Sequence, residues 1–200
     1  MYTWREMTED ERQEVLDYRK KNSLPWHNPP HLDLEGDYIY LITAACFNHL
    51  PIIGKNKERL IECEKQVLDG CDKFSEEIFA WCILPNHYHV LLQTEQIKSV
   101  RRELGLFHGR SSRTWNIEDK QTGRQVWHNC FERPMKSERH YYASLNYVHH
   151  NAVYHEYVSR WTDWLFSSAR DFLEEIGEEK AVEIWRSYPI LDYGKKWDIF

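Results

Sequence analysis

The chain has 200 residues and a mass of 24.3 kDa, the size of one domain with modest extensions. Hydrophobic residues make up 42% and charged residues 29%, so a core can form without disulfide or metal staples. A formal net charge of −6 and a pI of about 6.0 exclude a uniformly basic nucleic-acid coat, though not a local basic face.

Residues 1–36 read as an N-terminal extension. Thr8, with Glu11 three residues on, is a capping box and predicts a helix to about Lys21. Pro25, Pro29 and Pro30 then make a stiff extended connector. The core opens at Asp37. Tyr38–Phe47 is an apolar, β-branched and aromatic run, hence a buried strand. Apolar Leu60, Ile61, Val67 and Leu68 predict a helix over Lys57–Cys71. Glu77–Leu84 and His87–Gln93 are strands joined at a Pro85-Asn86 turn, so they form a hairpin. Ile97–Trp115 reads as a basic helix, followed by a polar loop. Val126–Phe131 is the predicted fourth strand and Ser137–Val153 a further helix. The rest, with an acidic helix near Glu174–Trp185, reads as a C-terminal extension over 156–200, leaving 37–155 as the central domain.

The order β-α-β-β-α-β followed by a helix is the split βαβ, or ferredoxin-like, pattern. It predicts an α+β fold: an antiparallel sheet with two helices packed on one face, plus a C-terminal helix. The five cysteines, Cys46, Cys63, Cys71, Cys82 and Cys130, form no C-x-x-C pair and read as buried free thiols of a reducing compartment. No apolar run is long enough to span a bilayer, and the acidic start is no signal peptide. The expectation is a soluble, cytoplasmic protein without membrane contact.

Two strings carry chemistry. In WCILPNHYHVLLQ, His87 and His89 are two apart on a strand and present both imidazoles on one face. They are either paired surface histidines or adjacent ligands of one divalent ion. In HYYASLNYVHHNAV, Tyr147 and Asn151 share a helical face at i and i+4. Alone, Tyr147 reads as a core aromatic. Beside a metal site, its phenol is a nucleophile and the Asn151 amide oxygen a further ligand.

Together the strings resemble the single-tyrosine HUH transposases, and most closely the REP-associated tyrosine transposase branch. The H-U-H motif is matched by His87-Tyr88-His89, and the Tyr-Ile-x-x-Asn-Pro-Val helix by Tyr147-Val148-His149-His150-Asn151-Ala152-Val153. Asp163-Trp164-Leu165-Phe166-Ser167-Ser168 echoes a Trp-Pro-x-Ser-Ser segment, and Val126-Trp127 fits a strand start. The likeness covers roughly residues 37–170. One departure is Ala152 in place of proline, which lengthens the helix.

The resemblance implies metal-dependent cleavage and transfer of single-stranded DNA at hairpin-containing repeats, through a 5′-phosphotyrosine on Tyr147. His87, His89 and Asn151 would hold Mg²⁺ or Mn²⁺. The partner is single-stranded or hairpin DNA, which would place the protein at the nucleoid. Lys98, Arg101, Arg102, Arg110, Arg113 and Arg124 give the middle of the chain a positive surplus suited to phosphates, or else a solvated helix face. Trp115 and Trp127 read as core aromatics rather than base platforms. A hairpin-binding protein that no longer cuts, and a hydrolase using water at the H-x-H pair, are the competing readings. The extensions favour a monomer over a helix-swapped dimer.

Overall fold

The computed structural model describes residues 7–21 and 38–190. The proline-rich connector lies outside the described residues. Helix α1 (Glu9–Lys21) begins as its sequence requires. The Thr8 amide donates to Glu11 Oε2 at 2.6 Å, and the Glu11 amide donates to Thr8 Oγ1 at 3.3 Å.

The central domain contains β1 (Tyr38–Ala45), α2 (Lys57–Asp72), β2 (Glu77–Ile83), β3 (His87–Thr94), α3 (Ile97–Glu118), β4 (Phe131–Pro134) and α4 (Glu138–Tyr154). The sheet order is β2-β3-β1-β4, with all three pairings antiparallel. This is the predicted α+β, ferredoxin-like architecture. Alternation along β3 sorts the two sides. Tyr88, Val90 and Leu92 enter one core with Val67 of α2 and with Val100, Leu104 and Phe107 of α3. Leu91 enters a second core with Leu145, Tyr147, Val148 and Ala152 of α4. The sheet therefore has α2 and α3 on one face and α4 on the other. His87 and His89 share the parity of Leu91 and face α4.

Four local expectations are corrected. On α2, Cys63, Gly70 and Cys71 fill the buried stripe with Leu60 and Val67, while Ile61 is exposed. Helix α3 runs past Trp115 to Glu118, because the Asp119 carboxylate at its end gathers Lys55, Arg59 and Arg124. The predicted strand Val126–Phe131 supplies only a single bridge, Trp127 to Cys46, and the ladder forms over Phe131–Pro134. Trp127 is apolar for a different reason: it packs under α3, stacked on His108 at 4.2 Å, with its indole N–H donating to Ser111 Oγ at 3.0 Å. Pro134 is tolerated because β4 is an edge strand. The single C-terminal helix is two, α5 (Ala169–Ile176) and α6 (Glu178–Ser187). They break at Gly177, whose φ of 81° suits a residue without Cβ.

Between α4 and α5 the chain runs along the free edge of β2. The Ile83 amide donates to Phe166 O at 2.8 Å and the Trp81 amide to Ser168 Oγ at 2.9 Å. The Trp164 indole donates to Ile83 O at 2.8 Å. This strap closes the sheet edge that β2 would otherwise leave open. All five cysteines are free thiols; Cys46, Cys63, Cys71 and Cys82 are buried as expected, while Cys130 is half-buried. No helix among the described residues is long and apolar enough to cross a membrane.

Candidate active site

The hairpin that delivers the histidines is tightly built. The Leu84 amide donates to His87 O at 2.8 Å across the Pro85-Asn86 turn. Gly54 packs its backbone against Pro85 so closely that any Cβ would overlap the proline ring, and its amide donates to Pro85 O at 2.9 Å. In register, His87 opposes Ala45 and His89 opposes Thr43 on β1. Helix α4, capped by Ser137 accepting from the His140 amide, lays Tyr147 and Asn151 over this pair. Ala152 keeps the helix regular through Tyr154.

The four predicted site residues come together. Tyr147 Oη is 3.3 Å from His89 Nε2, and His87 Nε2 is 2.9 Å from Asn151 Oδ1. The His87 and His89 rings are 5.0 Å apart, as are those of His89 and Tyr147. All four residues are buried. Burial is the main cause holding the His87 pKa well below its usual value and His89 at about 3, so both rings are neutral at pH 7. Neutral imidazole is the form that ligates metals.

Three further residues belong to the site. Asn86 Nδ2 donates to His49 O at 3.2 Å, which turns its Oδ1 toward His87 Nδ1 at 2.8 Å. Thr43 Oγ1 is 2.7 Å from His89 Nδ1. Both Nδ1 atoms thus have an oxygen to receive their proton, leaving both Nε2 lone pairs aimed toward α4. His155, one turn beyond Asn151, packs its ring 4.9 Å from that of His87. Sequence reasoning had no signal for Thr43, whose role depends on strand register. It read Asn86 only as a turn residue. For His155 the signal is the Tyr147, Asn151, His155 spacing at i, i+4 and i+8, which puts all three on one helical face.

The donor set fits a divalent cation. With its Nδ1 proton given to Asn86, His87 Nε2 is an acceptor facing a second acceptor, Asn151 Oδ1. Asn151 Nδ2 is buried without a partner. Rotating the amide would relieve that clash, and so would a cation between the two acceptors. Their 2.9 Å separation is close to the roughly 3.0 Å edge of an octahedron with metal–oxygen bonds of about 2.1 Å. Among the described residues no three His, Cys, Asp or Glu side chains are grouped to hold a metal, so an amide ligand is essential to this reading.

The basic residues lie elsewhere. Lys98, Arg101, Arg102, Arg110 and Arg113 are on α3, across the sheet from Tyr147. Lys98, Arg102, Arg110 and Arg113 are exposed. Arg101 is bound at 2.7 Å to the fully buried Glu132, and Arg124 at 2.7 Å to Asp119. These two hold β4 and the end of α3 in place. Trp115 and Trp127 are buried, as core aromatics should be.

The family model described as "Transposase IS200 like" matches residues 43–160, more than half of the chain. The chain belongs to the IS200-like transposase family. That membership places it among enzymes that cleave and rejoin DNA. A Haemophilus influenzae protein bearing the name of a REP-associated tyrosine transposase is 27% identical over 132 residues, covering 60% of this IS200-like chain and 73% of its own. The solved structure of a REP-associated tyrosine transposase bound to a REP hairpin shares the fold, with a TM-score of 0.54 at 17% identity. That likeness covers 72% of this chain and 83% of the other.

Proposed function

We propose that this IS200-like transposase is a metal-dependent single-stranded DNA endonuclease and strand transferase acting at hairpin-containing repeats. The observation that carries the reading is the meeting of Tyr147 Oη with His87, His89 and Asn151 in one buried cluster. Tyr147 Oη attacks phosphorus in line with the scissile bond. The Oη–P bond forms, the P–O3′ bond breaks, and the products are a 5′-phosphotyrosine and a free 3′-OH. The proton lost by the phenol equals the proton gained by the 3′ oxygen, so the step is proton-neutral overall. The phenol, with a pKa of about 10, is a better leaving group than an alkoxide, so a second 3′-OH can reverse the reaction without ATP.

His87, His89 and Asn151 would hold Mg²⁺ or Mn²⁺, which when bound polarises a non-bridging phosphate oxygen. Asn86 and Thr43 fix the tautomers that leave both Nε2 atoms available. Exposed Lys98, Arg102, Arg110 and Arg113 are the phosphate contacts of a duplex stem on the far face. The hairpin preference draws support from the REP hairpin held by the structural relative.

The test is a covalent-adduct assay. Labelled single-stranded oligonucleotides from the gene's own flanks, predicted hairpins included, are incubated with Mg²⁺ or Mn²⁺ and run on a denaturing gel. An adduct in wild type that disappears in Tyr147→Phe supports the proposal. DNA binding with no adduct points to a hairpin-binding protein that does not cut. Cleavage persisting in Tyr147→Phe points to water as the nucleophile.

A further inference from the structure

The basic residues of α3 lie across the sheet from Tyr147, so a strand whose phosphate reaches Tyr147 needs cations on the α4 side. Strand register identifies them. Thr43 pairs with His89 on one side and with Phe131 on the other. His89, Thr43 and Phe131 therefore form one row across the sheet, on the face that carries α4. Neighbouring strands are about 4.8 Å apart, which puts the Phe131 backbone roughly 10 Å from that of His89. Arg133 stands in the next row, opposite Leu41 of the α4-side core. Glu132 between them points the other way, to Arg101.

Arg133 is half-buried, and its guanidinium carbon lies over the Phe131 ring, 5.8 Å from the centroid. The cation thus leans back along β4 toward the His89 row. Lys136 follows just before the Ser137 cap of α4, and its amide donates to His140 Nδ1 at 3.2 Å. His140 and Tyr147 are seven residues apart, about two turns, hence on one face of α4. The His140 pKa lies below its ordinary value, through burial first and then through the charges of Arg133 and Lys136. Three basic side chains therefore crowd one corner, between the end of β4 and the start of α4. Lys136 is exposed, and among the described residues its ammonium meets no carboxylate. Glu138, the acid two residues on, accepts from Tyr188 Oη at 3.4 Å instead. Crowding like charges is unfavourable by itself, and an anion bound among them reverses that sign.

We propose that Arg133 and Lys136 hold a backbone phosphate of the single-stranded segment that enters the site, close to the scissile phosphate at Tyr147. The inference rests on the strand-cleavage reading and deepens it. The two faces of the sheet then have separate duties: α3 takes the duplex stem, and the β4–α4 corner takes the unpaired flank. A guanidinium carries several N–H donors, so the other contacts of Arg133 leave donors for a phosphate. Such contacts grip the backbone without reading bases, so the corner fixes the register of the strand and not its sequence.

The experiment is a methylphosphonate scan. Along the single-stranded flank of a hairpin oligonucleotide, each phosphate in turn is replaced by an uncharged methylphosphonate, and binding to the full-length protein is read by fluorescence anisotropy. Wild type should bind about tenfold less tightly when one particular position is neutralised. The double variant Arg133→Gln/Lys136→Gln should bind the unmodified strand at least about tenfold less tightly, with a flatter salt dependence, and should be indifferent to the modification at that position. Lys136→Gln alone changes an exposed residue and should by itself blunt the response there, which covers the case of a double variant that does not fold. A hairpin without the flank should bind wild type and variants alike. A wild-type scan with no preferred position, or variant and modification losses that simply add, would overturn the subsite. The scan needs no cleavage. A missing adduct with a position-specific loss removes the cleavage reading but keeps the subsite, and an adduct without such a loss does the reverse. Absence of DNA binding removes both.

Discussion

Thr43→Val is the most informative single change, because valine keeps the shape of threonine while deleting its oxygen. Thr43 Oγ1 sits 2.7 Å from His89 Nδ1 on the paired strand. Without that acceptor the ring has no reason to keep its proton on Nδ1. The proton moves to Nε2, which faces Tyr147 Oη, and the lone pair needed for a metal is lost. Outer-sphere partners of ligating histidines are worth about 10–100-fold in metal affinity or activity. The same loss leaves Nδ1 of a 2%-exposed side chain without a hydrogen-bond partner, which costs about 1–3 kcal/mol of folding stability. Isothermal titration with Mn²⁺ should therefore show 10–100-fold weaker binding, with adduct formation slowed in proportion. Urea unfolding measures the stability term separately. Unchanged Mn²⁺ affinity in a variant that remains folded would refute the assignment of Thr43 as the residue that orients His89.

Arg101→Ala should destabilise the fold by about 3–5 kcal/mol, because it removes the cation bound at 2.7 Å to the fully buried Glu132 carboxylate. Arg102→Ala, one residue on and exposed, should leave the unfolding midpoint within about 0.5 kcal/mol yet flatten the salt dependence of DNA binding by about one unit of slope. Stability should fall as pH drops below about 6.5. Burial holds His89 and His149 at about 3 and His108 at about 4, so the unfolded chain takes up protons that the folded one refuses. Denaturant midpoints measured between pH 7 and 5 should decline steadily, and a flat profile would contradict the buried neutral rings.

Much of this architecture was legible because local signals and tertiary demands agreed. The β2–β3 hairpin carried a proline-asparagine turn between two apolar runs, and the Thr8 capping box named the start of α1. Helix α4 showed its face through Tyr147 and Asn151 at i and i+4, and the structure places both over the histidine pair. Failures arose where an apolar residue served packing instead of pairing. Val126 and Trp127 looked like strand but join the core on the α3 side, while β4, reading FERP, carries a buried glutamate paired with an arginine from α3. Thr43 and the Phe131–Arg133 pair depend on strand register, which no spacing rule exposes.

The strap along β2 has a consequence for how many cuts one protein can make. Its backbone bonds at Ile83 and Trp81 anchor the segment that follows α4, while Ser137 and β4 anchor the segment that precedes it. The tyrosine is therefore tethered at both ends to its own histidines, and lending it to a neighbour would require stripping a sheet edge. On the strand-cleavage proposal, a chain so closed has Tyr147 as its nucleophile and can carry one severed strand at a time. Excising a segment, which takes two cuts, would then proceed in turns or through two separately loaded molecules. Kinetics should reveal which by whether the second cut depends on protein concentration.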